Sequence, residues 1–180
     1  MSIDVRTLRQ TMGQFVTGVT VVATEVDGEI KAMTANAFTS LSLDPPLILF
    51  CASKTSKTGQ LVHEAEGFSV NILRQDQQAL STYFAGGWKE PTRPAFHFVA
   101  WDGGPRLEGC AAALGCARHA VVEGGDHWIV IGRVLALYHS IEPPRPLVFF
   151  RGRYGSLAHT VSEPAPDLQA VADPIVADYW

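Results

Sequence analysis

The sequence predicts a small β-barrel carrying a few appended helices. Many short β-branched or apolar runs, turn signals spaced regularly between them, and too few helical stretches to alternate with the strands point that way. An alternating parallel α/β sheet would need helices between most of its strands. A dinucleotide-binding α/β unit would also open a helix with GxGxxG directly after a strand, and no such word occurs.

Taken in order, Asp4 is placed to cap a short helix in which Val5, Leu8, Met12 and Phe15 recur at helical spacing. Val19 to Thr24 is a β-branched run that reads as a strand. Asp27-Gly28 is a two-residue hairpin signal that folds the chain back through Ile30 to Asn36. Asp44-Pro45-Pro46 ends the next segment, and Leu47 to Cys51 is an apolar run of buried-strand length. A helix is predicted near Thr58 to Glu66. Phe68 to Leu73 alternates as a half-buried strand does, and a second helix runs from Asp76 to Phe84 until Gly86-Gly87 stops it. Gly86 to Pro105 has no clear period and reads as a long functional loop or lid. Strands resume over Ala111 to Val122, Trp128 to Tyr138 and Leu147 to Phe150. After Gly155 the composition turns to Ala, Pro and Asp. The chain therefore divides into one domain, 1–157, and a C-terminal tail, 158–180.

At 180 residues, 47% hydrophobic and 18% charged, the chain has the composition of one globular domain. A net charge of −4 argues against a nucleic-acid partner, which calls for a basic stripe. No apolar run reaches the roughly 18–20 residues that span a bilayer, and Asp4, Arg6 and Arg9 interrupt any signal-peptide pattern. Cys51, Cys110 and Cys116 lack the number and spacing of a disulfide framework or a zinc site, so free thiols and a cytoplasmic setting are expected. No metal site is predicted.

Four segments could carry chemistry. Ala32 to Ser40 crowds small and hydroxylic residues at a strand end. There Thr34, Asn36 and Ser40 could meet the polar edge of a flat ring while Met33 and Phe38 pack on its faces; an ordinary polar strand and turn has the same pattern. Cys51 to Thr58 leads from a strand through hydroxyls and lysines into a helix, which suits either an anion or a simple cap. Gly124-Gly125-Asp126-His127 puts a histidine beside a carboxylate in a turn. Phe149 to Gly155 sets Arg151, Arg153 and Tyr154 after a buried strand, where they could meet a pyrophosphate and a ring or be surface groups.

Together these segments resemble the short-chain flavin reductases, a flavin reductase-like domain of the FMN-binding split-barrel type that serves as the reductase component of two-component flavin-dependent monooxygenases. The matching words are Met12-Gly13-Gln14-Phe15-Val16-Thr17-Gly18-Val19-Thr20-Val21-Val22, Met33 to Ser40 continued by Leu41 to Pro46, Gly125-Asp126-His127, and Arg151-Gly152-Arg153-Tyr154-Gly155. They stand in family order over roughly residues 5 to 157. Ala32 and Ala37 depart from the family's frequent Gly and Ser.

The resemblance implies a six-stranded antiparallel split β-barrel with flanking helices, commonly a homodimer. It implies hydride transfer from NADH or NADPH to FMN or FAD, with reduced flavin passed to a partner monooxygenase. A non-catalytic flavin carrier, or a reductase with another acceptor, is the alternative. Carried over by motif, Thr34, Ala35, Asn36 and Ser40 face the ring, and Ser53, Ser56, Lys57 and Thr58 lie near the phosphate. Met33, Cys51 and Ala52 complete the cofactor-binding set. His127, Arg151 and Tyr154 seat the nicotinamide nucleotide, with His127 as the catalytic candidate.

Overall fold

A computed structural model describes residues 3–141 and 144–157; the proposed tail lies outside the described residues. The helix predicted first is present as α1, Val5–Met12, and Asp4 caps it by accepting from the Thr7 amide at 2.8 Å. Strands β1 (Thr17–Gly18), β2 (Thr20–Val26), β3 (Glu29–Ala35), β4 (Phe38–Leu43) and β5 (Pro46–Ser53) follow. Asp27 and Gly28 both take positive φ, 53° and 75°, the backbone of a type I′ turn whose twist matches the strands it joins.

The second helix, α2, is shorter than its periodicity suggests and covers Lys57–Leu61. Beyond it the chain tightens, with the Glu64 and Ala65 amides both donating to the Leu61 carbonyl. These turns let Val62 and Ala65 enter the core. After β6 (Gly67–Ile72), a 3-10 turn at Gln75–Gln77 leads into α3, Gln78–Phe84. The glycine stop works as anticipated. Gly86 adopts φ 75°, and the Gly86 and Gly87 amides donate back to the Tyr83 and Thr82 carbonyls.

The remaining strands are β7 (Phe98–Val99), β8 (Arg106–Leu107), β9 (Ala112–Gly124), β10 (His127–His139), β11 (Val148–Phe150) and β12 (Arg153–Gly155). Seven strands form the main sheet in the order β3-β2-β6-β9-β10-β5-β4; β1-β11-β12 and β7-β8 make two smaller sheets. Every pairing between these strands is antiparallel. The sheet curls without closing: β3 and β4, consecutive in sequence, stand at its two margins and do not pair with each other. This is the split barrel, with β4 counted as a seventh strand.

Alternation along the central strands builds two cores. Val22, Phe50, Phe68, Val70 and Val130 pack inside the barrel, while Val21, Leu73, Leu80, Leu107 and Leu147 pack on the other face. β6 is therefore buried on both sides rather than half-buried. Its polar face survives because Asn71, fully buried, donates to the Val21 carbonyl and Ser69 Oγ and accepts from the Leu107 amide at 2.8 Å. The loop of Gly86 to Pro105 is no free lid. Phe96 and Phe98 pack against Phe84, and Gly103 and Gly104 lie so close to β9 and β6 that an added Cβ would come within 2.2 Å of the Cys116 amide nitrogen or 2.6 Å of Phe68 backbone.

Candidate functional site

The β3–β4 connection gathers the first two predicted segments. Its Ala37 carbonyl accepts from the Cys51 amide at 3.0 Å, which holds Asn36 and Phe38 beside the end of β5. On β3 the Ser56 hydroxyl reaches Met33 Sδ at 3.9 Å, so the loop after β5 folds onto the same margin. The hydroxyl-rich strand end and the polar turn before Gln60 thus converge.

Two hollows, each about 730 Å3, open there. The first is bounded by Asn36, Ala37, Phe38, Thr39, Leu49 and Cys51, and by Met12, Phe15, Thr17, Phe149 and Arg151. The second is lined by Ile30 to Met33, Thr55 to Thr58, the end of α3 and Trp88. Both fall in the size range of small-ligand sites.

The unsatisfied polar atoms mark the same places. Among the described residues, Thr17 Oγ1 and Thr58 Oγ1 are the buried side-chain polar atoms with no hydrogen-bond partner. Thr17 lines the first hollow and Thr58 the second. A buried hydroxyl without a partner costs about 1–3 kcal/mol. With Asn36 on the polar side, Phe15, Phe38 and Phe149 on the apolar side and the Arg151 cation near, the first hollow has the donor set for a planar heteroaromatic ring with an anionic tail. Such residues fit a flavin.

The predicted residues divide accordingly. Asn36, Cys51 and Arg151 line the first hollow; Met33, Ser56, Lys57 and Thr58 line the second. Burial pushes the Cys51 thiol up, so it stays protonated and acts as packing. Ser56 Oγ caps α2, accepting from the Gly59 amide at 2.9 Å while donating to the Ser53 carbonyl. Ser53 shares a hydrogen bond with Thr55. Thr34 donates its hydroxyl to the Ser81 carbonyl at 2.7 Å, and Ala35 and Ala52 are buried in the barrel core. Ser40, on β4, is exposed and lines neither hollow. Tyr154 faces inward: its hydroxyl meets Ser81 Oγ at 2.9 Å and its ring packs on Phe149.

His127 opens β10 directly opposite Ser53 of β5. Its Nδ1 lies 2.8 Å from Asp126 Oδ1, and this hydrogen bond holds the Asp126 carboxyl below its ordinary value. The Lys54 amide donates to the Asp126 carbonyl at 3.1 Å, and Lys54 Nζ pairs with Glu123 and stands 4.6 Å over the Trp128 ring. The histidine hairpin is thereby fastened to the hydroxyl-rich loop, although His127 lines neither hollow. Arg151 sits with Gly152 in a hairpin turn of positive φ, 50° and 75°, and its amide donates to the Gly13 carbonyl.

Sequence reasoning gave Thr17, Phe149 and Trp88 no role of their own and counted Lys54 only among the lysines of the Cys51 to Thr58 segment. The first two meet through the pairing of β1 with β11, Thr17 opposite Phe149, across more than a hundred residues of chain. No local pattern carries that pairing. The indole of Trp88 was visible only as part of an aperiodic loop.

Comparison with known proteins gives a consistent relationship. A model of the flavin reductase like domain matches residues 12–158. The reductase subunit HsaB of a flavin-dependent monooxygenase from Rhodococcus jostii (strain RHA1) is 38% identical over 99% of this chain and 93% of its own length. Among solved structures, the flavin reductase PheA2 in its native state matches with a TM-score of 0.81 at 38% identity, covering 87% of this chain and 99% of that one. The NADH:FAD oxidoreductase SgcE6 of Streptomyces globisporus C-1027, solved in complex with NAD and FAD fragments, matches with a TM-score of 0.78 at 34% identity, covering 89% of this chain and 99% of that one. With an open barrel, a convergent pair of hollows and these matches over most of its length, the chain belongs to the flavin reductase-like domain family.

Proposed function

We infer that this protein is an NAD(P)H:flavin oxidoreductase that supplies reduced flavin to a partner monooxygenase. The observation that carries the reading is the first hollow, where an orphaned Thr17 hydroxyl, Asn36, an apolar aromatic wall and Arg151 meet at the margin of the barrel. A flavin held by these residues would supply the redox chemistry of a reaction that draws hydride from a nicotinamide cofactor. The chain's tasks are to bind, orient and exclude water. Asn36 and Thr17 hold the polar edge of the ring, and Phe15, Phe38 and Phe149 shield its faces. The loop from Ser53 to Thr58 takes the phosphate, with Lys57 as its cation. His127, oriented by Asp126, is the group assigned to the nicotinamide nucleotide, with Arg151 as the cation for its phosphates. Tyr154, held on Ser81, is assigned to placing the Arg151 turn.

The same reading extends to assembly. The domain over 1–157 works as a homodimer, supported by the uncovered apolar side of α1 and its flank: Val5, Met12, Phe15 and Val16 are 52–72% exposed. Free cysteines suit a reducing, cytoplasmic setting.

The test is oxidation of NADH and NADPH by the purified protein with FMN or FAD added, followed by loss of the nicotinamide absorbance. Turnover with at least one pairing is the expected result. Flavin binding without turnover would leave a carrier, and turnover with none would defeat the enzymatic reading.

A further inference from the structure

Beside the first hollow lies another, of about 1020 Å3, between α1 and the turn from β11 to β12. Arg9, Gly13, Arg151 and Gly152 border both spaces, which therefore join along one rim, while Arg6 borders the outer hollow alone. The rim is fastened, because the Arg151 amide donates to the Gly13 carbonyl at 3.0 Å. Among the described residues Arg6, Arg9 and Arg151 make no ion pair, whereas Lys31, Lys54 and Arg74 each hold a carboxylate. The Asp4 carboxylate, which also borders the outer hollow, is engaged by the amide and hydroxyl of Thr7. The hydrogen bond and charge of His127 do most to lower the Asp126 carboxyl, and the Arg9 cation adds to it, so the histidine hairpin stands within the field of α1.

Unpaired guanidinium groups around one space repel each other and focus a field that draws an anion. Their planar forks suit phosphate oxygens. The class of anion follows from where the charges stand. Moving outward from the first hollow, Arg9 and Arg151 come first, on the shared rim, and Arg6 follows, nearer the start of α1. A nicotinamide nucleotide is laid out in the same order: ring, pyrophosphate, adenosine. The pyrophosphate, common to NADH and NADPH, meets the rim. A cation beyond it finds a partner in the ribose phosphate that NADPH carries and NADH lacks. We propose that the hollow beside α1 seats the adenosine end of NADPH, with Arg6 on its ribose phosphate, so that the protein prefers NADPH to NADH. The proposal rests on the hydride-transfer reading above and names the donor. Arg6 and Arg9 precede residue 12, where the family domain begins, so this choice belongs to the chain's own first helix and not to the barrel.

The test measures NADP+ and NAD+ dissociation constants by equilibrium dialysis, and the KM for NADPH and NADH at saturating flavin, for wild type, Arg6→Ala and Arg6→Lys. Wild type should favour the phosphorylated nucleotide roughly tenfold in both measurements. Arg6→Ala should abolish that preference while the values for NAD+ and NADH stay put. Arg6→Lys, which keeps the charge and loses the fork, should retain part of it. Added salt should raise the KM for NADPH more steeply than that for NADH. The unmoved NADH values also report that the alanine variant is folded. Equal wild-type affinities, a preference for NAD+, binding of neither nucleotide, or a preference that survives Arg6→Ala overturns the site. An alanine effect of equal size on both nucleotides assigns Arg6 to the pyrophosphate and overturns it too. Wild type that favours NADP+ in dialysis yet oxidises neither donor with FMN or FAD keeps the site and defeats the oxidoreductase reading alone.

Discussion

Thr17 and His127 illustrate two ways in which a single side chain serves a site. The Thr17 hydroxyl is buried beside the first hollow without a partner, a cost the folded chain bears until a ligand offers one. Replacing it by the isosteric valine should therefore raise the stability of the ligand-free protein by about 1 kcal/mol and weaken flavin binding severalfold. Urea denaturation and a flavin titration on the same variant check both halves. His127 is half exposed and hydrogen-bonded to Asp126, away from either hollow. His127→Ala should raise the KM for NADH by roughly tenfold while flavin affinity stays within about twofold, a split that steady-state kinetics and a binding titration resolve. At this scale the sequence was informative about type and silent about direction. Asn36, Lys57 and Arg151 line the hollows. The equally suggestive hydroxyls of Thr34 and Tyr154 turn inward onto Ser81, and only packing decides that.

Among the elements, the hairpins were the most legible because their signals are local. Asp27-Gly28 supplies the positive φ that a tight turn demands, and the paired glycines after α3 close it through two backward hydrogen bonds. α2 was read too long because periodicity could not foresee that Val62 and Ala65 would both turn into the core. α1 was read correctly as a helix, yet its spacing could not tell what covers its apolar side. Among the described residues nothing does: no residue of α1 is buried. Under the dimer reading, Met12→Glu should leave secondary structure intact and convert the protein toward monomer. Light scattering after size exclusion would reveal it. An unchanged mass would place the contact elsewhere.

For the whole molecule, fold class was readable because alternation and turn chemistry are repeated along the chain, whereas strand order is not written in any one segment. The central strands show the difference. β6 carries Ser69 and Asn71 in a pattern that suggests a wet face, but the chain from Pro105 to Leu107 covers them and satisfies their polar groups. Burial also leaves a titration signature. Cys116, packed inside the barrel, has its thiol pushed up to about 12 from 9.0 by desolvation. The native state therefore keeps this proton where the unfolded chain releases it. The stabilising difference is whole below pH 9 and shrinks as pH rises toward 12. Urea midpoints should fall over that interval, and Cys116→Ala should flatten the fall.

The unjoined margins of the main sheet have a kinetic meaning. One hollow borders β3, the other the start of β4, and no ladder hydrogen bond ties these two strands together. A guest lodged there departs without a rung being unzipped, so its residence time is governed by its own grip and not by how often the barrel breathes. Such an architecture suits a courier, which must surrender what it has charged within each round of work.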